Sequence, residues 1–151
     1  MVTSVEEERR FNPRLGGDIG DSTAWRAGLS HLWTSPKNRS YTDTDSLGGS
    51  VINRFTGTAK LWALDGILKW APNGNSSVTS LKLQAEYFRR SENGSLTYDE
   101  NAASLGTQSG AYASRQSGWY AQGVYQFMPR WRAGYRVDRL AAGVTTLGQV
   151  D

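Results

Sequence analysis

Eight charged side chains stand at alternate positions inside otherwise apolar or aromatic segments. They are Arg26, Asp65, Lys69, Lys82, Glu86, Arg132, Arg136 and Asp138, five basic and three acidic. Charges interleaved in this way suit electrostatic selection of small ions rather than bond-breaking, and rings of Lys or Arg favour anions. A plainer role is also open to them, as solvated residues that pair across strands. The one histidine, His31, falls on the opposite parity, beside Trp33. No base on the charged parity or in a loop completes a Ser/His/Asp set. The chain has no cysteine, which removes thiolate metal sites and disulfides, and a single histidine argues against an ordinary zinc site. Its glycines form no phosphate-binding pattern. The sequence therefore predicts no catalytic, cofactor-binding or metal residues, and no enzyme.

The charged positions lie in four of five short segments with period-two alternation. In "AWRAGLSHLW" (24–33), Trp25, Ala27, Leu29, His31 and Trp33 oppose Arg26, Gly28, Ser30 and Leu32. In "LWALDGILKW" (61–70), Trp62, Leu64, Gly66, Leu68 and Trp70 oppose Asp65 and Lys69. "TSLKLQAEYFRR" (79–90) sets Leu81, Leu83, Ala85 and Tyr87 against Lys82 and Glu86. The second and third segments also fit a helical stripe, with Asp65 and Lys69 at i,i+4. "GWYAQGVYQF" (118–127) and "WRAGYRVDRL" (131–140) carry central glycines and aromatics, which favour strands. Glycine at 17 of 151 residues exceeds the roughly 7% average and disfavours a helical bundle.

Aromatic residues recur eight apart: Trp25 with Trp33, Trp62 with Trp70, and Trp119 with Phe127. Eight residues of strand span ~27 Å at about 3.4 Å each. At a tilt of about 40° this projects to ~21 Å, close to the ~25 Å apolar band of a membrane barrel, which aromatic girdles flank. Trp25, Trp33, Trp62, Trp70, Trp119, Phe127 and Trp131 are the predicted girdle, amphipathic rings at the two interfaces. The eight charges would then line a wet lumen, where they keep their hydration. A mean hydropathy of -0.56 and the lack of an ~18-residue apolar run exclude a spanning helix but not a barrel.

Connection lengths carry the same expectation. More than twenty polar residues join the first two segments, "APNGNSS" the next two, a second long stretch the following pair, and "MPR" the last. Long loops alternating with short turns are the rhythm of an outer-membrane barrel. The triplets Asn75-Ser76-Ser77 and Asn93-Gly94-Ser95 read as turn chemistry, in a short turn and a long loop respectively. The net charge of +3 gives no reason to expect a nucleic-acid partner.

"LDGILKWAPNGN", "LQAEYFRR" and "SGWYAQGVYQFMPRWRAGYRVDRL" resemble barrel segments of a group of Gram-negative outer-membrane proteins. These are porin-like, akin to phosphate-selective porins, or TonB-dependent-receptor-like. The resemblance spans roughly residues 20 to 140. It implies an outer-membrane location and a part in solute passage, and it implies no catalytic residue. Three departures stand out: no signal-peptide pattern at the start, no aromatic at the terminus, and five strands where a closed bacterial barrel needs at least eight.

The predicted fold is thus all-β: an antiparallel up-and-down transmembrane β-barrel segment of about five strands. Residues 1–21 are expected as an irregular leader or loop, 22–140 as barrel strands and loops, and 141–151 as a further loop or truncated tail. The expected function is passage or uptake of a small solute, an anion by preference. The expected partners are outer-membrane lipid and the remaining strands of the same barrel. A soluble antiparallel β-sheet protein that binds an apolar ligand is the alternative.

Overall fold

The computed structural model describes residues 8–149. They form one antiparallel sheet of nine strands: β1 (Glu8–Phe11), β2 (Arg14–Ile19), β3 (Thr23–Thr34), β4 (Arg39–Thr44), β5 (Ser50–Trp70), β6 (Ser80–Tyr98), β7 (Gln108–Met128), β8 (Trp131–Leu140) and β9 (Val144–Gln149). Six of these are halves of interrupted columns. β1 and β2 both pair with β3, β3 and β4 both pair with β5, and β8 and β9 both pair with β7. The sheet is therefore six columns in an up-and-down meander, not closed into a barrel. No helix among the described residues is long and apolar enough to cross a membrane.

The five segments read from alternation lie inside β3, β5, β6, β7 and β8, apart from Thr79, which precedes β6. Strands also continue through much of what was read as loop. β5 and β7 each run 21 residues and β6 runs 19. The long loops shrink to 45–49 and 99–107, comparable to the turn at 71–79, so loop length does not alternate as expected. Thr, Ser and Asn supply the far halves, and their polarity masked strands whose backbone pairs with equally polar neighbours. Asn93 stands within β6, opposite Thr58 and Ala113, rather than in a loop. Asn75 is in a turn, where its Oδ1 accepts from the Ser77 N–H at 2.9 Å.

The outer boundaries shift as well. The expected irregular leader holds β1 and β2, and the expected tail holds β9. Residues 1–7 of the leader and 150–151 of the tail lie outside the described residues. Pro13 explains the first interruption, since it lacks the N–H a ladder needs. Its carbonyl still accepts from Leu29 N–H at 3.1 Å.

Turns 20–22, 71–79 and 129–130 share one end of the sheet, here the near end. Turns 45–49 and 99–107 share the far end. Buried strand side chains all lie on one face: Val51, Asn53 and Phe55 of β5, with Glu92 and Leu96 of β6. One-sided burial means the sheet rolls toward that face. Gly57 and Gly94 oppose each other on it, and their backbones are so close that a Cβ on Gly57 would fall 2.6 Å from the Gly94 Cα.

Candidate functional site: a charged face and an aromatic face

Directly opposed residues in an antiparallel ladder share a face, so the register sorts every side chain. All eight charged residues share the inward-rolling face, in four consecutive rows. From the near end, the first row holds Ser80, Gln126 and Arg132. The second holds Asp18, Lys69 and Lys82. The third holds Arg26, Gln84, Gln122 and Arg136, and the fourth holds Arg14, Asp65, Glu86, Tyr120 and Asp138.

Cross-strand pairing of opposite charges does not appear here. Lys69 stands directly opposite Lys82, and Asp65 directly opposite Glu86. Like charges facing one another destabilise a sheet unless water screens them. The one ion pair among the eight runs along a strand, Arg136 Nε to Asp138 Oδ1 at 3.6 Å. A hydrogen-bonded ladder crosses the third and fourth rows. Gln84 Nε2 donates to the Tyr120 hydroxyl at 2.9 Å, Gln122 Nε2 to Gln84 Oε1 at 3.2 Å, and Arg136 Nη1 to Gln122 Oε1 at 3.4 Å. The Arg136 guanidinium lies 4.2 Å from the Tyr120 ring centre. Asp65 occupies space that Gly28 leaves open, since a Cβ there would meet its Oδ2 at 2.2 Å.

At the near end, Lys69, Lys82 and Arg132 border a cavity of about 800 Å³, with Gln126, Ser80 and the acids Asp18 and Asp21 also on its wall. Three cations, an amide and a hydroxyl can take a small anion by charge-assisted hydrogen bonds. Reading from sequence missed Arg14 and Asp18 on this face. Their shared parity in "RLGGDI" was the available signal, hidden by two adjacent glycines.

The opposite face carries the tryptophans. Trp25, Trp33, Trp62, Trp70 and Trp119 fall on it by register, and Phe127 and Trp131 by alternation from Tyr125 and Ala133. Tyr125 and Phe127 have ring centres 6.4 Å apart, as neighbours on one face should. His31 joins them, stacked on Trp62 at 3.9 Å. Trp62, Leu64, Leu83, Tyr87 and Tyr135 are all exposed, Tyr135 at 77%. The two aromatic borders descend together across the sheet. On the far side Trp33 lies one row beyond Trp62, and Trp119 one row short of it. On the near side Trp25 lies one row inside Trp70, and Phe127 one row beyond it. A band cut at constant height through tilted strands has this stagger.

At the far end Asp99 is fully buried. Burial raises its pKa, but N–H donors of Ala103, Ser104 and Gly106 at 2.7 to 2.9 Å outweigh that and leave it lowered. A lowered folded-state pKa gives stability above the unfolded value of about 3.9, lost as pH falls through the folded one. Asp99→Asn should therefore be less stable than the parent at pH 6, with the gap closing toward pH 2.5 in thermal melts followed by circular dichroism. A constant gap would show that the charge is not what holds this turn.

The chain matches no family model, no curated protein and no solved structure.

Proposed function

We propose that this chain is a sector of an outer-membrane β-barrel of a Gram-negative bacterium, porin-like or TonB-dependent-receptor-like, through which small solutes pass with a modest preference for anions. One observation carries the reading. Every acidic residue of the described strands (Glu8, Asp18, Asp43, Asp65, Glu86, Glu92 and Asp138) lies on the charged face, while the aromatic border residues lie on the other. A barrel wall between lipid and water needs that division.

The sheet has two unpaired edges, β1–β2 and β8–β9. Hydrocarbon does not tolerate unpaired N–H and C=O groups, so further strands must complete the ladder. Six columns make the edges run in opposite directions, which lets closure stay antiparallel. The charged face then becomes a lumen, with Lys69, Lys82 and Arg132 at its near mouth.

In the closed barrel, Lys69→Glu with Lys82→Glu should turn anion preference into cation preference, read as a change of sign in the reversal potential across a planar bilayer under a KCl gradient. An unchanged reversal potential would remove these lysines from the selectivity path. The soluble ligand-binding alternative rests on the buried Val51, Phe55 and Leu96, a small apolar core at the far end. Brominated lipid separates the two readings, because only membrane insertion quenches Trp62 and Trp119.

A further inference from the structure

The aromatic face carries no acid in its described strands, yet it carries a row of cations. Arg9, Lys60, Arg89, Arg115 and Arg139 all follow the far border of the apolar band. Among the described residues the near border has no lysine or arginine on this face. None of the five has a carboxylate within ion-pair distance among the described residues; the ion pairs present lie elsewhere. One face therefore has apolar surface bounded, on one side only, by tryptophans with cations level with them that have no carboxylate partner among the described residues. A lipid leaflet whose head groups carry phosphate has the complementary order.

The row also contains a shaped recess. Arg89, Arg115, Ser91 and Asn93 surround a depression of about 220 Å³, with Trp62 on its band side. Arg89 and Arg115 are diagonal neighbours, since Arg115 stands opposite Ser91 and Arg89 opposite Ser117. Diagonal neighbours in a ladder lie about 7–8 Å apart at the backbone. Two guanidiniums at that spacing can close on one phosphate, each with paired N–H donors. A hydroxyl and an amide supply further donors.

We propose that the Arg89–Arg115 recess binds the phosphate of an anionic lipid head group, one whose charge no choline balances, in the leaflet at the far border, and that the other three cations extend this contact along the row. The inference rests on the membrane reading above, and the test separates the two. The chain, within the complete barrel, is diluted from urea into phosphatidylcholine vesicles, with or without phosphatidic acid, and transfer is read by tryptophan quenching with brominated lipid. The wild-type chain should prefer the phosphatidic acid vesicles. At about a fivefold change for each cation near an anionic surface, Arg89→Ser with Arg115→Ser should weaken that preference roughly 30-fold. Transfer into pure phosphatidylcholine should not change, which also checks that the variant folds. Lys37→Ser with Arg39→Ser removes the same charge away from this row and should leave the preference intact.

Equal losses in the two variants would overturn the recess, as would a preference that survives Arg89→Ser with Arg115→Ser. A shift in Trp62 emission on adding inorganic phosphate without vesicles would make the occupant a free anion and overturn the lipid assignment. Failure to enter even pure phosphatidylcholine would overturn the membrane reading itself.

Discussion

Ala85→Arg is expected to lower transfer of the complete barrel into phosphatidylcholine vesicles by roughly 30- to 900-fold, the equivalent of about 2–4 kcal/mol for an arginine at the midplane of a barrel wall. Ala85 stands midway between the two aromatic borders, level with Gly66 and Ala121, and is exposed. The substitution removes no large side chain and meets no crowded neighbour, so the change measured is the penalty of placing a charge in hydrocarbon. In water the same change at an exposed strand position falls within about 0.5 kcal/mol. Ser95→Arg is the control. Ser95 shares the face but lies beyond the cation row, where a charge stays hydrated. Equal transfer of both variants would sink the membrane reading and favour the soluble one.

Gly57→Val is expected to destabilise the sheet by about 1–3 kcal/mol or more, the range for overpacking a close contact. A Cβ on Gly57 would lie 2.2 Å from the Asn93 carbonyl oxygen, a backbone atom that cannot step aside as a side chain can. β5 and β6 would have to separate where they are closest. Gly66→Val is the comparison, since nothing lies within 4 Å of its Cβ position. Urea titration in detergent micelles followed by circular dichroism should shift the midpoint for Gly57→Val alone. Equal midpoints would mean that the close approach carries no stability.

The parity of the strands was legible because alternation survives pairing. Four of the five segments set the eight charges on one parity, and the ladder then joined those parities into a single face, while Arg89 and Arg139 fall on the other. Helix and strand competed over "LWALDGILKW" because Leu61, Leu64 and Leu68 fit both periods. Partners on both sides settle it, with Ala27 and Ala85 flanking Gly66. The far halves were not legible. In "SVINRFTGT" the alternation is plain around Val51, Asn53 and Phe55, but the surrounding Ser, Thr and Gly suggest a loop. What holds these residues is burial against Leu96, a contact 41 positions away that no local pattern shows. The cavity lined by Lys69, Lys82 and Arg132 was legible only in its charges. Its near wall at Asp18 and Asp21 depends on β2 folding back on β3, past a turn whose Gly20 has φ +59.

Each column pairs only with its neighbours in the chain, without a crossover. The smallest piece that can be added or removed without disturbing any other pairing is therefore one hairpin. Adding a hairpin adds two columns, keeps the free edges running in opposite directions, and widens a closed ring, whose diameter grows roughly linearly with strand number. If the wall closes, its calibre is a quantity that tandem duplication or deletion of about fifty codons, the length of the β5–β6 hairpin, would change in one step. No rewiring of the remaining strands is needed.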